Sequence, residues 1–364
     1  VNGGNGSNGN GTKRAEGIAK QCSKLAHSAL LNLFSIPDHM LFWVPFAVIR
    51  GLELGRKENF DIIYTTSPPH SEHLAGMMLS RMLGKKWVVD FRDPIVDNFC
   101  LQGLPGYLRL VNSSLEKLIV KNAHRIILVS ELHYKTMTGR YPSCRDKFIV
   151  IRNGFDVDQF KKVEPCVYNK FTILYTGSFY GPIKPDFFLK GLKQWLEGKG
   201  AGAREDVQVL FYGFGNSRVE ALAHELGLED VIRVFGFIPQ DEIIKKQKGA
   251  DLLLLILGFD EKSKGVISSK VYEYMAAGAP ILALVPDGDA LRTIRSCARH
   301  YHVGEDDRES LIRSLDAAYT EYVGRKGSSS ARVAQCGQAD LSRFSAKIQV
   351  RDLARIFDEA LTVN

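Results

Sequence analysis

The amino-acid sequence predicts an α/β protein with two doubly wound lobes. Short, continuously apolar strand segments alternate with helical segments, which is typical of a parallel sheet covered by helices on both faces. The alternation runs through the chain twice, and the second series starts after Asn153-Gly154. The length of 364 residues also predicts about two domains.

The expected domain boundaries follow composition and pattern. Residues 1–12 are a flexible Gly/Asn tract, residues 13–157 an N-terminal lobe and residues 158–340 a C-terminal lobe, while residues 341–364 contain a helix expected to cross back to the N-terminal lobe. An open α/β lobe normally starts with a central strand and a glycine turn. Because the Gly/Asn tract stands there instead, we expect an N-terminal lobe that is incomplete at its start, either truncated or unusual.

Composition excludes several classes of protein. The net charge of +7 suits phosphorylated ligands or an anionic membrane face, but no motif that recognises DNA or RNA is present. The six cysteines form no CxxC pair, which argues against a zinc site or a disulfide scaffold and favours a reducing, cytoplasmic compartment. No run of 18 apolar residues predicts a membrane-spanning helix.

Two segments near the N-terminus allow two interpretations each. The basic, helical pattern over Lys13–Phe34 indicates a helix packed on its own lobe or one lying on a membrane surface. The apolar run Leu41–Ile49, with Phe42, Trp43 and Phe46, indicates core or membrane contact. We expect packing in both cases. If the acceptor is lipid-linked, these segments are where peripheral contact with the inner face of the membrane is expected.

The segment from Ser268 to Gly278 carries the clearest chemical signal. Serines stand where a helix N-cap belongs, and Gly278 stands where a C-terminal glycine belongs. The helix follows an apolar strand, so its free N–H groups and partial positive charge face the region where such sheets bind ligands. Two hydroxyls and the Lys270 ammonium add donors. The pattern therefore predicts a diphosphate site.

Glu273 lies one turn into this predicted helix, on the same face as Ser269 and Lys270. Its carboxylate can accept hydrogen bonds from a ribose diol. The alternative is an ion pair with Lys270 on a solvated helix face. The position after a buried strand favours the ribose interpretation.

Four sequence segments resemble a known enzyme family. The run KVYEYMAAGAPILAL from Lys270 resembles the donor-site signature of retaining glycosyltransferases of family 4, which have the GT-B fold. The pattern SPPHSEHLAG…WVVDFRDP, Ser67 to Pro94, resembles bacterial members that act on polysaccharides or lipid-linked sugars. The run IRNGFD at 151–156 with Phe160 matches the interlobe segment, and YTGS at 175–178 matches the first glycine turn of the donor lobe.

This resemblance implies a fold and an activity. It implies two Rossmann-like lobes facing a cleft, and transfer of a sugar from a UDP- or GDP-type nucleotide sugar, with retention of configuration and no obligatory metal. The acceptor would be a saccharide or a lipid-linked sugar in cell-surface glycan synthesis. The residues implied for donor binding are Gly177, Ser178, Lys184, Gly213, Gly215, Phe237, Ser268, Ser269, Lys270 and Glu273.

Each donor residue has an implied role. Glu273 would hold the ribose, while the two serines and Lys270 would hold the diphosphate, with Lys184 as a second cation. Gly177 and Ser178 would let backbone approach the phosphates and sugar. The glycines at 213 and 215 would pass close to the nucleotide, and the segment 236–238, including Phe237, would contact the base through its backbone.

The predicted acceptor side lies at the ends of two N-terminal strands. The residues proposed for catalysis are Arg92, Asp93, His70 and Lys270. For Arg92 the family more often has a histidine, and the structural alternative is an ion pair with Asp90 or Asp93. His70 alternatively caps a helix or lies on the surface, and His73 is expected to be structural.

Two other functions remain open at this point. The family often carries a second glutamate eight residues before the ribose-binding one, where this chain has Gly265. That departure favours a catalytically silent nucleotide-sugar-binding protein. A nucleotide-sugar 2-epimerase on the same fold would require acids in the cleft, for which Asp90 and Asp93 are candidates.

Overall fold

The computed structural model describes residues 37–98, 105–326 and 341–362. These residues form two compact units. The first comprises the described residues up to Val96 and those from 105 to 126, and the second comprises Asp97, Asn98 and the described residues from 127 to 362. The Gly/Asn tract and the predicted helix Lys13–Phe34 lie outside the described residues. The lobe boundaries and the return of the C-terminal helix stay predictions.

The first sheet has the strand order β1-β2-β3-β4. Its strands are β1 (Ile62–Ser67), β2 (Lys86–Phe91), β3 (Arg125–Leu128) and β4 (Phe148–Val150). The helices of this part of the chain are α1 (Val44–Lys57), α2 (Ser71–Leu83), α3 (Gly106–Asn122), α4 (Glu131–Arg140) and α5 (Val157–Lys162), with 3-10 helices at Leu41–Trp43 and Pro142–Lys147. β1 and β2 are parallel, with Ser67 opposite Phe91 at their carboxyl ends.

The second sheet is parallel, with the order β10-β9-β8-β5-β6-β7. Its strands are β5 (Phe171–Thr176), β6 (Val207–Tyr212), β7 (Ile232–Phe235), β8 (Leu252–Ile256), β9 (Ile281–Leu284) and β10 (His300–Val303). Its helices are α6 (Asp186–Lys199), α7 (Ala201–Glu205), α8 (Ser217–Leu226), α9 (Gln240–Gly249), α10 (Ser269–Ala277), α11 (Asp289–Arg295), α12 (Arg308–Lys326) and α13 (Ala346–Thr362), with 3-10 helices at Glu261–Gly265 and Leu341–Phe344.

The core of the second unit follows from the apolar strands. Every residue of β5 and of β8 is buried, which requires helices on both faces of the sheet. The strand order also reverses between these two strands, since β6 and β7 lie beyond β5 while β9 and β10 lie beyond β8. The doubly wound α/β architecture expected from the sequence is present.

The run Leu41–Ile49 differs from the expectation of core burial. Pro45 lies in the first turn of α1, where the missing N–H costs no hydrogen bond, so the run starts a helix. Val44 and Val48 are buried against α2. The large apolar side chains left exposed are Phe42 (62%), Trp43 (46%), Phe46 (70%) and Ile49 (58%). Among the described residues, no helix is both long and apolar enough to cross a membrane.

Candidate active site

The predicted donor residues surround the point where the strand order of the second sheet reverses. Gly177 directly follows β5, and Ser268 precedes α10, the helix after β8. In parallel α/β sheets, ligands bind outside the carboxyl ends of the strands at such a reversal. The fold therefore brings Gly177 and the start of α10 to the place where a ligand is expected.

Helix α10 has the predicted bounds. Ser268 is its N-cap residue with extended backbone, and Gly278 ends it in the left-handed conformation with φ of 81°. The Ser268 side chain makes no capping hydrogen bond, and its buried hydroxyl has no partner among the described residues. The hydroxyl and the N–H groups of the first turn are donors of the kind that bind an anion at a helix N-terminus.

Lys270 extends from this helix to the end of β5. Its Nζ lies 3.0 Å from the Tyr175 hydroxyl and 4.6 Å from the centre of the Tyr175 ring. Burial lowers the pKa of Lys270 to about 8, and the nearby Glu273 carboxylate acts in the opposite direction. Burial thus outweighs the attraction of the Glu273 carboxylate, and an additional anionic group beside the ammonium would stabilise its charge.

Besides the Tyr175 side chain, the backbone of Gly177 lies next to Lys270. Gly177 has φ of 122°, and a Cβ there would stand 2.8 Å from Lys270 Nζ. Gly213, directly after β6, has φ of 147°, and a Cβ there would stand 2.3 Å from the carbonyl oxygen of Gly177. Only glycine satisfies both the positive φ and the space at these two positions. The result is a surface of exposed backbone beside the ammonium.

Glu273 is hydrogen-bonded to a buried amide. Gln247 Nε2 of α9 lies 3.2 Å from Glu273 Oε2, and Gln247 is fully buried. No ion pair joins Glu273 to Lys270 within the described part of the chain, so the ion-pair alternative is wrong. One carboxylate oxygen is oriented by Gln247, and the other accepts no side-chain hydrogen bond within the described residues.

The remaining donor-side residues lie in loops after the strands. The Ser178 carbonyl accepts a hydrogen bond from the Tyr175 hydroxyl (3.2 Å). Lys184 is exposed, in the loop whose Pro182 packs against Gly258 after β8. Gly215 has φ of 70° and open space where a Cβ would stand.

Phe214 and Phe237 form an exposed aromatic pair. Their rings are parallel within 3°, with centroids 5.5 Å apart, and their exposed fractions are 68% and 70%. They continue the stacked pair of Tyr212 and Phe235 at the ends of β6 and β7. Because the apolar rings face solvent, they offer a flat surface to a planar ligand group.

Two histidines of the first unit, His70 and His73, are buried. His70 is 5% exposed, its side chain does not cap α2, and its Nδ1 has no partner among the described residues. Instead, the Asp38 carboxylate accepts the Ser71 N–H at 2.8 Å. Burial lowers the pKa of His70. His73 contacts Thr65 Oγ1 through Nδ1 (2.8 Å) and packs edge-on against Phe91, a structural position.

The charged residues after β2 do not form the alternative ion pair. Asp90 accepts hydrogen bonds from the hydroxyls of Tyr64 (2.8 Å) and Thr66 (2.9 Å). Arg92 is exposed and joins neither Asp90 nor Asp93 in an ion pair within the described residues. Burial raises the pKa of Asp93, and the Arg92 charge opposes that rise. Arg92 and Asp93 therefore remain available to a ligand.

Gly265 ends a 3-10 helix in the second unit. A Cβ built there would face Leu132 of α4 at 3.6–3.8 Å. The first atom of any side chain at this position would therefore contact α4.

Sequence reasoning missed Gln247 and the tyrosines that support the site. Thr176 N donates to the hydroxyl of Tyr274, which is fully buried on α10 (2.9 Å). Tyr175 and Tyr274 belong to the segments YTGS and KVYEYM, so the family motifs indicate that these tyrosines lie near the site. Gln247 lies in an unremarkable polar helix, and only the tertiary fold shows its contact with Glu273.

Two family models together match most of the chain. The model for glycosyl transferases group 1 matches residues 156–334, and the model for glycosyltransferase family 4 matches residues 20–159. No curated protein is detectably similar in sequence.

Solved structures with the same fold include three informative neighbours. HepE from Anabaena, in complex with UDP, is 16% identical, with 86% of this chain and 82% of HepE covered and a TM-score of 0.62. A glycosyltransferase from Rickettsia africae is 19% identical, covering 89% and 83%, with a TM-score of 0.64. WaaG, described as a glycosyltransferase involved in lipopolysaccharide biosynthesis, is 15% identical, covering 89% and 96%, with a TM-score of 0.58. The chain shares with them the GT-B fold of two Rossmann-like lobes.

Proposed function

This chain belongs to the family 4 glycosyltransferases, enzymes that transfer sugar from a nucleotide sugar, and we propose that it is a retaining enzyme acting on a lipid-linked saccharide in cell-surface glycan synthesis. The observation that carries the proposal is the group formed by Gly177, Lys270 and Glu273 at the strand reversal. In this group, Gly177 supplies accessible backbone, Lys270 a buried ammonium, and Glu273 a carboxylate that Gln247 orients.

The donor is assigned from these contacts. The start of α10 and Lys270 bind the diphosphate, because their N–H, hydroxyl and ammonium groups all donate hydrogen bonds to an anion. Glu273, held by Gln247, accepts hydrogen bonds from the ribose hydroxyls. HepE was crystallised with UDP-glucose, and this supports a uridine nucleotide as the donor here.

Lys270 also supports the chemical step. As the bond between the anomeric carbon and the diphosphate oxygen breaks, negative charge develops on the leaving group. An ammonium with a pKa of about 8 is mostly protonated at neutral pH and stabilises that charge. The acceptor hydroxyl forms the new bond on the same face, and its proton leaves with the diphosphate. His70, Arg92 and Asp93 are assigned to acceptor binding.

A lipid-linked acceptor fits the exposed face of the first unit. Phe42 and Trp43 of the 3-10 helix and Phe46 and Ile49 of α1 are exposed, and Arg50 follows them. Aromatic side chains next to basic residues are typical of helices that lie in a membrane interface. We assign this face to peripheral contact with an anionic bilayer, which would bring a lipid-linked sugar to the enzyme. WaaG, whose described pathway builds lipopolysaccharide, supports this choice of acceptor.

The test uses the full chain with a panel of UDP- and GDP-sugars and lipid-linked acceptors. We expect one UDP-sugar to be consumed only with acceptor, and the anomeric signals of the product, followed by NMR, to show the donor configuration. Inversion would refute retention. A folded protein that binds no nucleotide sugar would refute the donor assignment.

A further inference from the structure

A cavity in the second unit is lined by residues other than the donor residues. It has a volume of about 350 Å³, at the small end of the range for small-molecule sites. Arg152, Asp289, Arg343, Phe344 and Asp352 are among the residues that line it. They come from the end of β4, from α11 and from the 3-10 helix and α13 near the C-terminus, and Glu131 of α4 completes the lining.

The charges of this cavity are largely balanced. Arg152 pairs with Glu131 (2.8 Å), and Arg292 pairs with Asp289 (2.5 Å). Asp289 is only 4% exposed and also accepts the Leu132 N–H at 2.8 Å. These four charged side chains therefore satisfy one another, and they leave no excess charge that would favour an ion.

Two further charged groups of the lining are not ion-paired. Arg343 donates to Ser296 Oγ (2.9 Å) and Cys297 Sγ (2.9 Å), and its guanidinium lies over the Phe344 ring. Neither Arg343 nor Asp352 has an oppositely charged partner within the described ranges. A guanidinium presents five hydrogen-bond donors, and a carboxylate accepts hydrogen bonds through two oxygens. The cavity can therefore both donate hydrogen bonds to a ligand and accept them, while the two charges cancel.

Tyr272 packs behind the cavity wall, against Phe344. Tyr272 is fully buried, its ring lies 5.1 Å from Phe344, and its hydroxyl has no hydrogen-bond partner among the described residues. Burial raises the pKa of this hydroxyl, and the positive charge of Arg152 opposes that rise. Tyr272 is not one of the lining residues, and it supports the Phe344 part of the wall from behind.

The two sites lie on different sides of one helix. Tyr272 and Glu273 are adjacent on α10, and successive helical side chains are about 100° apart. Glu273 contacts Gln247, whereas Tyr272 contacts Phe344. Ile267, which lines the cavity, directly precedes the N-cap residue Ser268. The cavity is thus separate from the ribose residue but adjoins the start of α10.

We propose that this cavity binds a neutral saccharide unit, separate from the nucleotide sugar, through Arg343 and Asp352. Hydroxyls of a sugar ring both donate and accept hydrogen bonds, which matches a guanidinium and a carboxylate that are not ion-paired and together carry no net charge. The sugar is a unit of the acceptor glycan, and this part of the inference rests on the proposed transfer function.

The experiment measures binding of methyl glycosides of glucose, galactose, mannose and N-acetylglucosamine to the full chain by saturation-transfer NMR, with and without saturating UDP. The variants are Arg343→Gln and Asp352→Asn. The matched controls are Arg351→Gln and Asp358→Asn on the exposed side of α13. We expect at least one glycoside to bind in the presence of UDP, about tenfold more weakly in each variant and unchanged in the controls.

Three results would overturn the inference: no glycoside binds, the variants bind as the wild type does, or a UDP-sugar displaces the glycoside. Thermal unfolding of each variant identifies a folding defect, and Asp352→Asn carries the test if Arg343→Gln unfolds. UDP affinity, measured on the same samples, reports on the donor site separately. If the chain binds a glycoside but not UDP, the proposed donor site is refuted and the inference about the cavity is not.

Discussion

The ammonium of Lys270 on α10 is bound by the hydroxyl of Tyr175 on β5, at 3.0 Å. The hydroxyl in turn donates to the Ser178 carbonyl (3.2 Å), so it is oriented to accept from the lysine. This contact joins β5 to α10, the helix that follows β8, and it places a cation beside the backbone of Gly177. The partner of the ammonium is therefore a neutral hydroxyl. A bound diphosphate would give the ammonium an anionic partner.

The lowered pKa of Lys270 predicts a pH dependence of nucleotide binding. The ammonium is lost as the pH rises through about 8, and only the charged form pairs with the diphosphate. We expect UDP affinity to fall about tenfold between pH about 7 and about 9. Calorimetry at several pH values measures this. Lys270→Arg should remove the pH dependence, and an unchanged slope in that variant would contradict the assignment.

Glu273→Gln and Glu273→Ala should weaken UDP binding about tenfold or more without unfolding the chain, because a charged acceptor of ribose hydroxyls is lost. The discriminating measurement compares UDP with 2′-deoxy-UDP. The wild type should prefer UDP, and the variants should lose that preference. Glu261→Gln is the control, since Glu261 is exposed and pairs with Lys264. Equal affinity of wild type and Glu273→Ala for UDP would show that the carboxylate does not contact the ribose.

Gly213→Ala and Gly215→Ala form a matched pair. Both residues have positive φ, but a Cβ at 213 meets the Gly177 carbonyl at 2.3 Å, whereas a Cβ at 215 meets open space. We expect Gly215→Ala to cost about 1 kcal/mol of unfolding free energy. Gly213→Ala should cost more and also displace Gly177, so that UDP affinity falls. Chemical denaturation and calorimetry follow both effects. Similar losses for the two variants would exclude close backbone packing as the cause.

We expect the base of the bound nucleotide to stack on the exposed rings of Phe214 and Phe237. Stacking contributes about 1–3 kcal/mol per base, so the double change Phe214→Ala, Phe237→Ala is expected to weaken UDP binding about tenfold. Binding of ribose 5-diphosphate, which lacks the base, should not change. Phe42→Ala, an equally exposed aromatic of the first unit, is the control. An equal loss for both ligands would argue against a contact with the base.

Membrane binding should depend on the start of α1. The double change Trp43→Ser, Phe46→Ser removes two exposed aromatic groups and should reduce sedimentation with phosphatidylglycerol vesicles severalfold, because apolar burial in the interface is lost. The activity towards a water-soluble acceptor should persist. Val167→Ser, at an 82% exposed position of the second unit, is the control. Full vesicle binding by the double variant would refute the assignment of this face.

The sequence predicted most helices and strands of the second unit because their signals are local. The bounds of α10 follow from Ser268 and Gly278, since capping and a left-handed glycine depend on neighbours in the chain. It did not predict β10, whose segment HYHV lacks a strong apolar pattern. It also did not predict that Phe42 and Phe46 face solvent, because an apolar run contains no information on which side another element covers it.

The sequence by itself thus determined the α/β class, the succession of elements, the family resemblance and the local chemistry of Ser268 to Glu273. The tertiary structure alone decided which groups meet that segment. Gln247 is 26 residues from Glu273 and Tyr175 is 95 residues from Lys270, and each pair is in contact because the strand order reverses between β5 and β8. Strand order arises from the packing of the whole sheet, and no local pattern of residues specifies it.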